Sequence, residues 1–299
     1  MTLAAFLVAW SAPVLATWSI VATDARTSEV GGAITSCVGS MDLSIVLGVA
    51  PGAGAIHAQC WVNTDGRDTG VEMLAAGSSP EEVIAAITDA AFDPDASVRQ
   101  YGVVDLQGRA AGWTGTANDT WAGDIQGADG RYTWSAQGNI LTGESVVSGT
   151  NSAFETGEGC DLADQLIRAL EAGAADGGGD NRCAGGGIPS DSAHLRVVDA
   201  SGLDVVALSV VDTAPISGVR RLRFVYDAWR AEHPCPESDD TAPADTGPAN
   251  TDSEEGCDCA TGRVNGAGAV LLASLLALLC RRRSYGSAIA ARGPTSMSG

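Results

Sequence analysis

The chain has 299 residues and a formal net charge of -20, from 37 acidic residues and 17 basic ones, all of them arginine. The absence of lysine excludes a phosphate-loop lysine, a Schiff-base lysine and a lysine general base, since each needs an ammonium that arginine cannot replace. The acidic balance also argues against nucleic acid as a partner, because a duplex-binding face must neutralise phosphates.

In chain order, Leu3 to Val14 is an apolar run ending in Val14-Leu15-Ala16. The short side chains before Thr17 give residues 1–16 the pattern of a secretory signal whose cleavage would leave Thr17 first. Thr17 to Ala22, Val30 to Ser36 and Gly54 to Trp61 read as strands bounded by turn formers. Ser79-Pro80-Glu81-Glu82 predicts a capped helix start with Val83, Ile84 and Ile87 on one face. Val98 to Leu106 and Arg109 to Gly115 flank a Gln107-Gly108 hairpin turn, and Tyr132 to Gln137 is a further strand. Asp161 caps a helix carrying Leu162, Leu166, Ile167 and Leu170, which Gly173 ends. Ala193 to Asp199 and Asp204 to Val211 form a hairpin about Ser201-Gly202, followed by a helix from Val219 to Trp229.

Residues 233–259 contain the degenerate repeat DTAPA, DTGPA and a two-cysteine motif, Cys257-Asp258-Cys259. Acidic residues with Pro and Thr bury too little apolar surface to offset chain entropy, so this segment reads as a disordered linker. The uncharged run from Gly266 to Cys280 precedes Arg281, Arg282 and Arg283. As a helix it spans about 22 Å, short of the roughly 30 Å hydrocarbon core, yet snorkelling arginines would let it anchor. With the two cysteines it resembles the MYXO-CTERM type of sorting signal, which implies a membrane contact through residues 260–283 and display at the cell surface. Residues 284–299 follow as a tail.

The strand and helix pattern predicts an α+β body over residues 17–232. A dinucleotide loop is excluded by the lack of G-x-G-x-x-G between strand and helix, and a serine-hydrolase elbow by the lack of G-x-S-x-G. No paired ligand spacing for zinc is present, and His57, His194 and His233 are scattered, so no metal or cofactor is expected. Cysteine usage fits an oxidising compartment. Cys160 and Cys183 flank a predicted helix and are the first expected disulfide, and Cys37 and Cys60 lie on strands that could be neighbours.

Thr17 is the sharpest candidate. A threonine hydroxyl needs a base, and a free α-amine on the same residue can serve. The segments TWSIVATD from Thr17, GAIHAQCWVN from Gly54, SPEEVIAAI from Ser79, RQYGVVDLQGRAAGWTG from Arg99, YTWSAQGNILTG from Tyr132 and LIRALEAGAADGGGDNRC from Leu166 together resemble the domain-of-unknown-function 1028 family. That family is assigned to the Ntn-hydrolase superfamily. The resemblance implies a four-layer αββα sandwich with Thr17 opening a central strand. Asp24, Asp105, Thr114, Gln137, Asn139 and Asp180 are polar matched positions. Among them Asn139 is expected to donate to an oxyanion, and Asp24 to orient the Thr17 amine. The implied substrate is an amide or peptide, with peptidoglycan a candidate. The rival reading is a non-catalytic surface binding module on the same fold.

Overall fold

The computed structural model describes residues 17–118, 120–157 and 159–236. The signal-like start, most of the linker, the apolar run and the arginine cluster lie outside the described residues. Among the described residues no helix is long and apolar enough to cross a membrane.

Ten strands among the described residues form two antiparallel sheets. The larger sheet orders β10 (Asp204–Val210), β9 (Ser192–Val198), β2 (Glu29–Ser36), β1 (Thr17–Asp24), β8 (Tyr132–Leu141) and β7 (Trp121–Ala128). The smaller orders β3 (Leu47–Ala50), β4 (Gly54–Cys60), β5 (Arg99–Asp105) and β6 (Ala110–Thr114). Helices α1 (Thr64–Ala75) and α2 (Pro80–Ile87) cover the smaller sheet. Helices α3 (Ser145–Glu155), α4 (Leu162–Gly173) and α6 (Gly218–Glu232) cover the larger one, and the short α5 (Asn181–Ala184) lies in the loop after α4. The result is the expected α+β sandwich of four layers.

Side-chain alternation along each strand assigns the layers. On β1, Trp18, Ile20 and Ala22 pack with Leu166, Leu170 and Phe154 beneath the helices. Val21 instead meets Ala55 and Val104 of the opposite sheet. Trp18 is fully buried and its Nε1 donates to the Leu170 carbonyl at 3.2 Å, which pins the start of β1 to α4. Gly173 makes this possible, since a Cβ there would come within 2.7 Å of Trp18 Nε1.

The predicted α2 forms with its complete capping box, Ser79 and Glu82 each bonding the other's backbone. Helices α1 and α3 carry Gly, Ser, Thr and Asn inside them and form against propensity. Asn63 caps α1 through the Gly66 N–H, while α3 is held by burial of Val146, Val147, Thr150 and Phe154.

Both disulfide expectations are corrected. Cys37 is bonded to Cys183, and Cys160 to Cys235. Cys160 and Cys183 sit beyond opposite ends of α4, whose 12 residues span about 18 Å, far beyond disulfide reach. Cys37 follows β2 of the larger sheet whereas Cys60 ends β4 of the smaller, and Cys60 is buried outside both bridges.

Candidate functional site

The space between the sheets is divided along β1. Around Val21, Ala55 and Val104 it is apolar. Toward Thr17 it is filled by amides and hydroxyls, all fully or nearly fully buried: Ser19, Gln59, Gln100, Ser135, Gln137 and Asn139. Ser19 Oγ donates to Gln59 Oε1 at 2.6 Å, and Gln137 Nε2 donates to Ser19 Oγ at 2.6 Å. Gln59 Nε2 donates to Gln100 Oε1 at 2.8 Å, and Asn139 Nδ2 donates to the same oxygen at 3.0 Å. A Cβ at Gly102 would lie 2.1 Å from Gln137 Oε1, so a glycine is what lets the two sheets close over this layer.

Thr17 stands at the end of that layer, fully buried, at the start of β1 between β2 and β8. Its register partners are Ser36 on β2 and Asn139 on β8. Its Oγ1 donates to Ser36 Oγ at 3.3 Å. Immediately after Asn139 the strand is distorted: the β7–β8 register shifts between Trp121 and Gly123, and Ile140 adopts φ +51°. Cys60, next to Gln59, adopts φ +74°. Left-handed backbone at non-glycine residues is costly and gathers at functional sites, and bulges re-aim the side chains beside them.

The Cys37–Cys183 bridge closes the same end of the molecule. Asp180 accepts from the Cys37 N–H at 2.6 Å and pairs with Arg182 at 2.9 Å. Arg182 Nη2 in turn reaches Ser36 Oγ at 3.3 Å, so guanidinium, Ser36 and the Thr17 hydroxyl form a continuous chain. Burial lifts the Asp180 carboxyl above its ordinary pKa, and Arg182 opposes that shift. Cys37, Cys183 and Asp191 converge with the composition of a metal site, but both sulfurs are joined to each other, and a disulfide offers no thiolate ligand.

Asp24 is not part of this arrangement, which corrects its expected role. It ends β1, seven residues from Thr17 and about 23 Å away along an extended strand. There its carboxylate accepts from the Arg26 N–H at 2.8 Å and pairs with Arg131 at 2.8 Å, closing the β1–β2 turn. Asp105 lies toward that same end, bonded to Arg109 at 2.6 Å. Thr114 belongs to the amide layer, accepting from Gln100 Nε2 at 2.9 Å. Ser36, Gln59, Gln100 and Arg182 were not singled out by sequence. For Ser36, Gln59 and Gln100 the signal was a polar residue at an inward position of a strand, whereas Arg182, on the short α5, carried none.

His57, fully buried on the same inner layer, has its pKa depressed to about 3, first by burial and then by His194. Burial depresses His194 to about 4. Both rings are therefore neutral in the folded protein, and the unfolded chain binds more protons than the folded one below about pH 6.5. Stability present above that pH should fall by about 1.4 kcal/mol per pH unit for each ring as the solution is acidified toward pH 4. Urea unfolding at pH 7, 6 and 5 checks this; a midpoint that does not move over that range refutes it.

Residues 17–217 match the family described as "Family of unknown function (DUF1028)". The crystal structure of protein SPO2555 from Silicibacter pomeroyi, a DUF1028 protein, is 27% identical with a TM-score of 0.58, covering 72% of this chain and 89% of that one. No curated protein matches the chain. The family match spans both sheets, the amide layer and the Thr17 end of β1, and by it the chain belongs to the DUF1028 family.

Proposed function

We propose that this protein is an exported, surface-anchored amide hydrolase whose nucleophile is Thr17, exposed as the mature N-terminus by cleavage after Ala16. The observation that carries this reading is the position of Thr17. It opens a strand inside the sheet, with its hydroxyl on Ser36 and the guanidinium of Arg182 beyond. In the proposed reaction the α-amine takes the Oγ1 proton while Oγ1 bonds to the amide carbon and the carbonyl π pair moves to oxygen. The negative oxygen meets the Ser36 hydroxyl and the Arg182 charge. Collapse expels the leaving amine, which takes the proton from the ammonium, and water then hydrolyses the threonyl ester.

Export is supported by the two disulfides, which persist in oxidising compartments, and by the apolar start and arginine-flanked run of the sequence. Cell-wall peptides are the substrate class we would screen first, consistent with surface display. Uncleaved, Thr17 is buried and its nitrogen is an amide, which favours the binding-module reading for any chain that keeps residues 1–16.

N-terminal sequencing of protein from its native envelope, followed by amide and peptidoglycan-fragment assays, tests the proposal. Thr17→Ala should reduce turnover at least about a hundredfold while Thr17→Ser retains part of it. Equal turnover by Thr17→Ala and parent, with both folded, would rule the mechanism out.

A further inference from the structure

Asn139 invites an oxyanion-donor role, but the amide layer fixes its orientation otherwise. Gln100 Nε2 lies 2.8 Å from the Gly138 carbonyl and 3.2 Å from the Gly123 carbonyl, groups that can only accept. That end of Gln100 must therefore be its nitrogen, and its Oε1 must face Gln59 and Asn139. An oxygen there demands donors from both, so Asn139 turns its Nδ2 to Gln100. The remaining atom, Asn139 Oδ1, is buried and has no hydrogen-bond partner. A buried amide oxygen without a donor costs about 1–3 kcal/mol, which calls for an explanation.

The residue opposite Asn139 in the β1–β8 register is Thr17. Directly paired residues on one face have Cβ atoms about 5 Å apart. Asn139 Oδ1 and the Thr17 nitrogen are thus neighbours across the strand pair, and Oδ1 accepts from no group while that nitrogen is a peptide amide.

We infer that Asn139 is the positioning residue for the mature Thr17 amine, its Oδ1 accepting one amine N–H so that the nitrogen lone pair turns toward Oγ1. This rests on the reading that Thr17 becomes N-terminal. The chemistry favours an amide for the task. A carboxylate in that place would hold the group as ammonium, with no lone pair to take the hydroxyl proton. A neutral carbonyl oxygen orients the amine and leaves it available near neutral pH.

The test is a pH titration of the Thr17 amine by NMR, using chains labelled with 13C-threonine that begin at Thr17 and run to Gly299. Asn139→Asp is expected to raise the amine pKa by about one unit or more, and Asn139→Ala to lower it, since the acceptor that stabilises the ammonium is gone. Gln100 Oε1 keeps its Gln59 donor in Asn139→Ala, so that comparison decides alone if the aspartate variant does not fold. The same amine pKa in parent and folded variants would overturn the inference, as would amide turnover by Asn139→Ala with an unchanged pH profile. Shifted amine pKa values in chains that turn over no amide would uphold the contact and sink the hydrolase reading instead.

Discussion

Replacing Cys37 and Cys183 together by serine is expected to lower the unfolding free energy by up to about 5 kcal/mol, the loop-closure entropy of a bridge joining residues 146 apart. For a domain of this size that corresponds to a fall in melting temperature of roughly 10–20 °C. The loss extends to the site. Without the bridge nothing covalent holds the Asp180–Arg182 turn against the end of β2, where Asp180 meets the Cys37 N–H and Arg182 meets Ser36. Calorimetry of the double variant against the parent measures the effect. A loss below about 1 kcal/mol would mean that the chain-entropy account fails here.

Gln100→Leu carries the second large effect, expected at about 3–5 kcal/mol of destabilisation. The glutamine is fully buried and is the centre of the inter-sheet amide layer. Its nitrogen serves Thr114 and the carbonyls of Gly123 and Gly138, and its oxygen receives Gln59 and Asn139. Leucine matches the volume closely but leaves two donors and up to three acceptors without partners in a dry interior, where each unmet group is costly. Denaturant unfolding checks the magnitude. A near-neutral Gln100→Leu would show that the layer is hydrated or repacks, and the orientation assigned to Asn139 would then lose its basis.

Much of the fold is legible in the residues. The Ser79–Glu82 capping box, the Leu162 to Leu170 spacing and the two glycine turns at Gln107-Gly108 and Ser201-Gly202 act through neighbours a few positions apart, which is what a sequence displays. Helices α1 and α3 were not legible, because Gly66, Gly70, Gly149 and Thr150 oppose a helix until the sheet beneath them is in place. The disulfide partners and the site were hidden for a related reason. Cys37 meets Cys183, and Thr17 meets Asn139, through pairings between segments more than a hundred residues apart. Asp24 shows the converse: an extended run from Thr17 already separates the two, so one end of a strand cannot serve the other.

The polar face of β8 misleads in its own way. Ser135, Gln137 and Asn139 alternate with Trp134 and Ala136 as a half-exposed strand would, yet both faces are buried. The polar side faces a second sheet rather than water.

The Cys160–Cys235 bridge determines how the body bears mechanical load. Tension on the chain beyond Cys235 enters the domain at Cys160, just before α4, because the covalent link bypasses α6. Pulling from that end would load α4 in shear against β1 and β2 instead of peeling α6 away one turn at a time. A protein held by its C-terminal side in moving fluid would thus keep its last helix docked until the larger sheet itself gave way.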